Sequence, residues 1–437
     1  MRICLVLHGW PPATMGGTGL YVEALARALV ARGHTVACLS PQLEAGWRGA
    51  PQVQAAGGSG ETGEIFRLRA GPPERWEQGW SRPDLDAAFR GFLASWGPDL
   101  VHVHHLSHGS LGWLRAVRRE GRGLVLTLHD YALPCARGQL VDRSLQLCPG
   151  PSDLGCATCV AEQLALSPAT AAAGRVLAAA PVLRGRLRGL LAAAGPARGA
   201  QARIAARRAA VTAALLQPHR LLSPSQDLAR RFQGMGLRRP ELHPLPLVRP
   251  VPPAPPPGAG PLRLLFASSM LPTKGPDRLL AAFARLPQGA ATLSLAGASP
   301  PYDGQPGWAK DLRRRAEQQP GVRWWGEVPP AQVPALLADH DVLVLPSTWP
   351  ENSPLIVREA TAAGLRTLLP RQGGARELDP LARLVPGGDD DALLSALQDE
   401  LLLGRGRHAP RAWPSAGSHA ADLEREVYAS LAGRLPG

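Results

Sequence analysis

Lysine is almost absent from this sequence of 437 residues. Only Lys274 and Lys310 occur, although lysine and arginine together number 48 against 35 acidic residues. Such replacement of lysine by arginine, beside abundant alanine, glycine and proline, is typical of a biased nucleotide composition in the source genome. The net charge of +13 therefore indicates only an anionic surface or substrate. A nucleic-acid-binding protein would interleave basic residues with exposed aromatics, whereas the 11 tryptophans are scattered, so no specific nucleic acid is expected.

Long apolar runs are also lacking. None approaches the roughly 20 residues that a helix needs to cross a bilayer. The apolar N-terminus, residues 1–7, is too short and wrongly flanked for a signal peptide. We therefore expect a cytoplasmic protein, with peripheral contact to the inner face of the membrane left open. The full glycine fingerprint of dinucleotide-binding domains is missing after the first predicted strand, which argues against a nicotinamide enzyme.

The length is too great for one ordinary core and indicates two domains of about 200 residues each. Strand-length apolar runs alternate with helical patterns, which predicts an α/β fold with two Rossmann-like, doubly wound domains. A proline-rich stretch can form neither helix nor central strand and is interpreted as a stiff interdomain linker. The predicted parts are a first domain at 1–245, the linker at 246–261, a second domain at 262–405 and a C-terminal helical segment at 406–437.

The first domain opens with a strand, a glycine-rich loop, a helix at 20–32 and a second strand. The pair Gly16-Gly17 lets the backbone of this loop approach a ligand closely, although a simple tight turn explains it equally well. Another strand ends at His129, and ligands of open α/β sheets bind beyond such strand ends. We interpret His129 as a functional residue, with a structural role as the alternative.

Clusters of metal-ligating residue types occur twice in the first domain. The residues His102, His104 and His105 are split between opposite faces by the alternation of a strand, so no ligand role is predicted for them. Four cysteines within a loop at 135–159 match the ligand number of a structural zinc site, and reduced loop cysteines without metal are the equal alternative. They are Cys135, Cys148, Cys156 and Cys159.

A basic helical region is predicted after the cysteine loop. The stretch 164–231 is rich in alanine and arginine. Its helices could face an anionic lipid or a lipid-linked acceptor, or could simply be solvated.

The most informative stretch, 346–364, contains Glu351 and Glu359, eight residues apart around a predicted helix start. A short buried strand precedes it. The free amides of a helix N-terminus favour phosphate, so one acid could reach a sugar and the other a ribose on either side of an anion site. The helix signals are Ser353 as N-cap, Pro354 as the first helical residue and Gly364 as the end.

Lys274 stands directly before a second predicted helix start, at Pro276. A point cation beside free amides is suited to a leaving diphosphate. This arrangement needs no divalent ion, and no convincing Asp-x-Asp pair stands at a strand end.

With these residues the sequence resembles the retaining glycosyltransferases of family GT4, the sucrose-synthase-like GT-B enzymes. The hallmark of the family is two glutamates in a Pro-Ser…Glu…Glu-Ala…Gly context. The resemblance implies two domains facing a cleft and a final helix that crosses back to the first domain. It also implies metal-independent transfer of a hexosyl group from a nucleoside-diphosphate sugar to an acceptor hydroxyl, with retained configuration, in bacterial glycan or glycolipid synthesis. The expected acceptor is a carbohydrate, a lipid-linked molecule or a small metabolite.

The resemblance further implies roles for individual residues. His129, Lys274 and Glu351 are expected to be catalytic, and Glu359 to hold the ribose. Ser269 stands where the family has an arginine, which leaves the second cation unassigned. The expected donor-binding set is Gly16, Gly17, Ser269, Lys274, Gly326, Asn352, Ser353, Pro354, Leu355 and Glu359, followed by a matching loop at Gly373, Gly374 and Glu377. A GT-B epimerase or sugar phosphorylase, and a noncatalytic anion-binding or nucleic-acid-binding protein, are the alternative functions.

Overall fold

A computed structural model of the chain describes residues 1–11, 16–58, 60–164, 195–256, 258–302 and 307–432. Parts of the first glycine-rich loop, of the alanine- and arginine-rich stretch and of the predicted final helix lie outside these ranges. The chain divides into two compact units. The first comprises Met1–Leu140, Pro149–Leu245 and Ala416–Gly437, and the second comprises Val141–Cys148 and Pro246–Ser415.

The first unit is built on a largely parallel sheet. In the described residues its order is β3-β4-β2-β1-β5-β6-β7-β8, and only the β3–β4 pairing is antiparallel. The chain winds outwards from β1 in both directions, so the carboxyl ends of β1 and β5 flank a switch point of the kind that binds ligands. The strands are β1 (Arg2–Val6), β2 (Thr35–Leu43), β3 (Gln52–Ala55), β4 (Glu64–Ala70), β5 (Leu100–Val103), β6 (Gly123–Thr127), β7 (Arg220–Ser223) and β8 (Glu241–Leu242).

Amphipathic helices connect these strands. Helix α1 buries Tyr21, Val22, Leu25 and Leu29, which recur at helical spacing. The helices of the first part of the chain are α1 (Gly17–Ala31), α2 (Pro83–Trp96), α3 (Gly112–Arg119), α4 (Asp153–Cys159), α5 (Gly195–Leu215) and α6 (Gln226–Gly234).

The second unit has a parallel sheet with the order β11-β10-β9-β12-β13-β14 among the residues described. Alternate residues of β9 enter different apolar cores: Leu264 and Phe266 enter one, and Leu265 enters the other. The sheet is therefore covered on both faces, as a doubly wound domain requires. The strands are β9 (Leu262–Ala267), β10 (Ala291–Ala296), β11 (Val322–Gly326), β12 (Val342–Val344), β13 (Arg366–Pro370) and β14 (Arg383–Val385), and the helices are α7 (Pro276–Phe283), α8 (Trp308–Gln318), α9 (Val333–Ala338), α10 (Leu355–Ala363) and α11 (Asp390–Leu403).

The proline-rich stretch belongs to the second unit. Its described part contains no helix or strand, as predicted, apart from an isolated bridge between Leu247 and Ser415. The Ala254 amide donates to the carbonyl of Ala363 at the end of α10, with a distance of 3.0 Å, and Val251 is buried in the apolar core around this helix. The stretch is therefore packed against the domain rather than free of it.

The C-terminal segment returns to the first unit. It forms α12 (Ala416–Leu423), a π-helical turn (Glu424–Tyr428) and α13 (Ala429–Ala432). His419 Nε2 lies 2.9 Å from the hydroxyl of Tyr21 on α1. The C-terminal helical segment predicted from residue 406 becomes helical only at Ala416. Before it, the carbonyl of Pro414 accepts from the Leu247 amide and residue 415 pairs with Leu247. In the ranges described, no helix combines the length and the hydropathy of a membrane span.

Candidate functional site

The loop between β12 and α10 carries the two glutamates of the sequence motif. Helix α10 begins at Leu355, and Pro354 is its N-cap without a side-chain hydrogen bond. The prediction of Ser353 as N-cap and Pro354 as the first helical residue is therefore wrong by one position. The Ser353 hydroxyl instead accepts from Arg358 Nη1 at 2.9 Å. Gly364 ends the helix as predicted, with a φ of 83°.

Lys274 and Glu351 form an ion pair in the second unit, with 2.8 Å between Nζ and Oε1. The Ser347 hydroxyl donates to the same carboxylate oxygen at 2.7 Å. The ammonium also lies 4.4 Å from the ring centroid of Trp349. The side chains of Lys274 and Glu351 are 15% and 4% exposed, so the pair is poorly screened by solvent. A fixed cation therefore stands beside the N-terminal turn of α7, where an anion is favoured.

Two glycines allow the loops around this pair to touch. Gly275, the N-cap of α7, has a φ of 75°, and a Cβ there would lie 2.5 Å from the carbonyl oxygen of Pro346. Gly373 has a φ of 92°, and its Cβ would lie 2.4 Å from the carbonyl oxygen of Glu351. The amide of the next residue, Gly374, donates to that carbonyl at 2.6 Å. The backbone of Glu351 is thus held by a loop that has no room for a side chain.

We expect Gly373→Ala to cost more stability than the left-handed backbone alone explains. Gly388→Ala is the matched control, because Gly388 has a φ of 89° and nothing within 4 Å of its Cβ position. The control should lose about 1–2 kcal/mol from backbone strain, and Gly373→Ala about 1–3 kcal/mol more from overpacking. Urea unfolding and turnover measure both variants. Equal losses in the two would show that the contact with Glu351 is not tight.

Glu359 on α10 forms a second buried ion pair. Its Oε1 accepts from Arg249 Nε at 2.6 Å, and Arg249 Nη1 donates to the carbonyl of Pro330. Burial raises the pKa of Glu359, and the Arg249 guanidinium opposes that shift. Arg249 was not predicted as a site residue, because it lies in the proline-rich stretch and no local pattern connects it with a residue 110 positions away.

The other predicted donor-binding residues lie at carboxyl ends of strands in the second unit. Ser269 follows β9, and Gly326 ends β11 with a φ of 66°. Asn352 is buried, whereas Ser353 and Pro354 are partly exposed at the start of α10. Pro354 has no N–H group, so it can only contact a ligand or offer its carbonyl.

His129 lies just beyond β6 in the first unit. Its Nε2 is 3.3 Å from His104 Nδ1, and its ring centroid is 5.4 Å from that of Tyr21. Burial lowers the pKa of His129 to about 3, so the imidazole is neutral at physiological pH. Gly16 is the N-cap of α1, and Gly17 is the first residue of that helix.

A fixed histidine–aspartate pair adjoins His129 and was not predicted. His105 Nδ1 accepts from the Ser107 amide at 3.0 Å, so its Nε2–H is left to donate to Asp130 Oδ2 at 2.9 Å. The other Asp130 oxygen accepts from the Ala132 amide at 2.8 Å. Burial alone would raise the pKa of Asp130, but His105 and the Ala132 amide hold that pKa below its usual value. The sequence feature that could have pointed to Asp130 as a site residue is its position directly after His129.

This pair lines a cavity at the carboxyl ends of β5 and β6. The cavity is also lined by Trp80, His104, His129 and Arg207. His102 lies on β5 and His104 just beyond its end, with ring centroids 4.0 Å apart, and His105 follows His104. Within the described residues, no three or more His, Cys, Asp or Glu side chains are placed to hold a metal ion.

The six cysteines all lie within the described ranges, and none of them forms a disulfide bond there. Of the cysteine loop, Cys135, Cys156 and Cys159 belong to the first unit and Cys148 to the second. Arg137 Nη1 lies 3.9 Å from the sulfur of Cys159. The arrangement of the described side chains does not provide a metal site, so the zinc expectation gains no support from it.

Two family models match the chain, one in each half. The model described as "Glycosyltransferase Family 4" matches residues 15–148, and that described as "Glycosyl transferases group 1" matches residues 261–401. A comparison with curated proteins finds no match.

Solved structures share the fold along the whole chain. Sucrose-phosphate synthase from Thermosynechococcus elongatus is 17% identical with a TM-score of 0.61, and the match covers 99% of this chain and 96% of that one. Anabaena HepE in complex with UDP-glucose is 15% identical with a TM-score of 0.55, covering 100% and 98%. A trehalose-phosphate synthase from Burkholderia xenovorans in complex with glucose-6-phosphate is 13% identical with a TM-score of 0.57, covering 99% and 97%.

The two Rossmann-like domains and the matches to both halves define a glycosyltransferase of the GT-B class. Within that class the chain is GT4-like, as the resemblance carried by residues 346–364 implied.

Proposed function

We propose that this glycosyltransferase moves a hexosyl group from a nucleoside-diphosphate sugar to an acceptor hydroxyl, with retention of configuration and without a metal ion. The observation that carries the proposal is the buried pair of Lys274 and Glu351 beside two helix starts. HepE was solved with UDP-glucose, which supports a nucleotide-sugar donor.

Each part of the donor has a candidate partner in the second unit. Lys274 and the amides at the start of α10 would stabilise the leaving diphosphate. Glu351 would face the sugar, and Glu359 would accept hydrogen bonds from the ribose. The bond between the anomeric carbon and the phosphate oxygen breaks, and the acceptor oxygen bonds to the same face of that carbon. The acceptor proton leaves on a phosphate oxygen, so no divalent ion or protein base is required.

The acceptor site is proposed to be the cavity beside His129 in the first unit. Asp130 has both oxygens anchored and stays ionised, so it can accept a hydrogen bond from an acceptor hydroxyl. The neutral His129 can donate or accept a hydrogen bond without adding charge. The glucose-6-phosphate in the trehalose-phosphate synthase complex supports a carbohydrate acceptor. Lipid-linked and small-molecule acceptors of bacterial glycan or glycolipid synthesis fit the same chemistry.

The proposed place of action is the cytoplasm, with the net charge of +13 suited to an anionic membrane face. A structural zinc ion in the cysteine loop stays a prediction from the number of thiols. Elemental analysis of protein purified without affinity metal decides between zinc and a metal-free loop.

A screen of UDP-, GDP- and ADP-sugars tests the proposed function. We expect the nucleotide sugars of one base to raise the melting temperature of the protein by binding to its folded state. Among them, the sugar of the natural donor should be hydrolysed slowly or transferred. NMR of the early product should show the anomeric configuration of the donor, and EDTA should leave the rate unchanged. Epimerised donor without transfer, or turnover dependent on inorganic phosphate, would favour the epimerase or phosphorylase alternative. An inverted product would contradict retention.

A further inference from the structure

We propose that Arg249 is a positioning residue of the donor site, which orients the Glu359 carboxylate so that it can accept hydrogen bonds from the ribose hydroxyls. The inference rests on the proposed function of Glu359. It adds a residue that lies outside both the two-glutamate motif and the sheet of the second unit.

The geometry fixes one carboxylate oxygen and leaves the other for a ligand. Arg249 Nε donates to Glu359 Oε1 at 2.6 Å. Among the residues described, no hydrogen bond or ion pair reaches Oε2 of Glu359. An ionised carboxylate has about four acceptor positions, so a single bond from Arg249 leaves enough of them for two hydroxyl groups.

Arg249 is itself held in place. Its Nη1 donates to the carbonyl of Pro330, and the stretch that carries it is tied to the end of α10 by the Ala254 amide. The side chain of Arg249 is 18% exposed and that of Glu359 is 3% exposed. A planar guanidinium that is also anchored at Pro330 fixes the position of Glu359 Oε1 and the direction of its hydrogen bond, whereas a flexible ammonium would provide only a point charge.

Burial explains why Glu359 needs such a partner. A carboxylate that loses its hydration without a partner becomes protonated more easily. Its protonated form would present an O–H donor to one ribose hydroxyl in place of an acceptor. Arg249 therefore affects ribose recognition through Glu359, without a contact of its own to the nucleotide.

The test compares UDP, GDP and ADP with their 2′,3′-dideoxy forms by calorimetry on the full-length protein. The wild-type protein should prefer the ribonucleotide of its preferred base by on the order of 10-fold or more, as expected for hydrogen bonds to a charged group. In R249M this preference should fall by about tenfold, while affinity for the dideoxy form stays within a few-fold. E359Q should lose most of the preference, and R249M/E359Q should lose little more than E359Q alone, because both changes remove one interaction.

The matched control is R405M, which removes another buried arginine–carboxylate pair from the same unit. Arg405 Nε lies 3.0 Å from Asp341 Oδ2, at the amino end of β12 and so away from the carboxyl ends. R405M should keep the full ribose preference even where it lowers the melting temperature. R249K retains the charge, serves if R249M does not fold, and should show a preference between those of R249M and the wild type.

An R249M protein, or failing that R249K, with the ribose preference of the wild type would overturn the positioning role and leave the proposed function standing, provided that E359Q loses the preference. A wild-type protein that binds none of the three nucleotides would overturn both. A preference lost equally in R405M would show a general effect of destabilisation and would also overturn the role.

Discussion

Lys274→Ala is expected to lower kcat by a factor on the order of 10² or more, the usual loss when a fixed electrostatic partner of the transition state is removed. The physical reason is the position of the ammonium: it is largely buried, held by Glu351 and placed next to the helix start at Pro276. Negative charge that develops on a leaving diphosphate would interact with this ammonium in an environment that solvent screens only weakly. Steady-state kinetics with the donor found in the nucleotide screen measure the effect.

The sequence offers a matched control for this variant. Lys310 is the other lysine of the chain, and it is exposed on α8. Lys310→Ala should keep wild-type kinetics. Lys274→Ala leaves the buried Glu351 without its cation, so the melting temperature of this variant must also be measured. Lys274→Arg shows whether a cation of another shape restores turnover. A folded Lys274→Ala enzyme within a few-fold of wild-type kcat would refute the role in the leaving-group step.

The first unit is expected to lose stability in mildly acidic solution. Burial, reinforced for both residues by the nearby His105, lowers the pKa of His8 and His129 to about 3, and Asp130 only partly opposes this. A histidine in the unfolded chain has a pKa of about 6.5. The unfolded state therefore binds more protons than the folded state between these values. The stability is fully present above about pH 6.5 and is lost progressively as the pH falls towards 3.

The expected loss is large for a marginally stable fold. Each of His8 and His129 should cost about 2 kcal/mol at pH 5 relative to pH 7.5. Urea unfolding followed at pH 7.5, 6 and 5 measures the change. His129→Gln removes one titrating group and should make the slope against pH shallower by up to about 1.4 kcal/mol per pH unit. Carboxylates with lowered pKa, such as Asp130, act only at more acidic pH. Constant stability from pH 7.5 to 5 would contradict the burial of neutral histidines.

Local signals in the sequence located most of the framework. The apolar run at 262–267 became β9, Pro276 opens α7 and Gly364 ends α10, because strand length, proline at a first helical position and glycine in a left-handed conformation are properties of neighbouring residues. The two Rossmann-like domains followed from the alternation of such elements. The predicted roles of the site residues stay predictions until they are measured.

Contacts between distant residues could not be predicted in this way. Arg249 reaches Glu359, and His105 reaches Asp130, through the tertiary fold, and hydrophobic periodicity carries no information on which polar side chains meet. The error at Ser353 has a more local origin. A serine before a helix ordinarily caps it, but this hydroxyl accepts from the buried guanidinium of Arg358, five residues further on.

The packing of the proline-rich stretch against α10 changes where this protein can be recombined with its relatives. In a hybrid enzyme joined at residue 261, the donor-binding domain with Glu359 would come from one parent and residue 249 from the other. Glu359 would then face a residue 249 with which it did not evolve. A junction just after Leu245 coincides with the boundary between the two compact units and transfers Arg249, Val251 and Glu359 together. The part of the chain that has to be exchanged as a whole therefore begins before the first strand of the second domain. It includes the proline-rich stretch, which composition alone assigns to a linker.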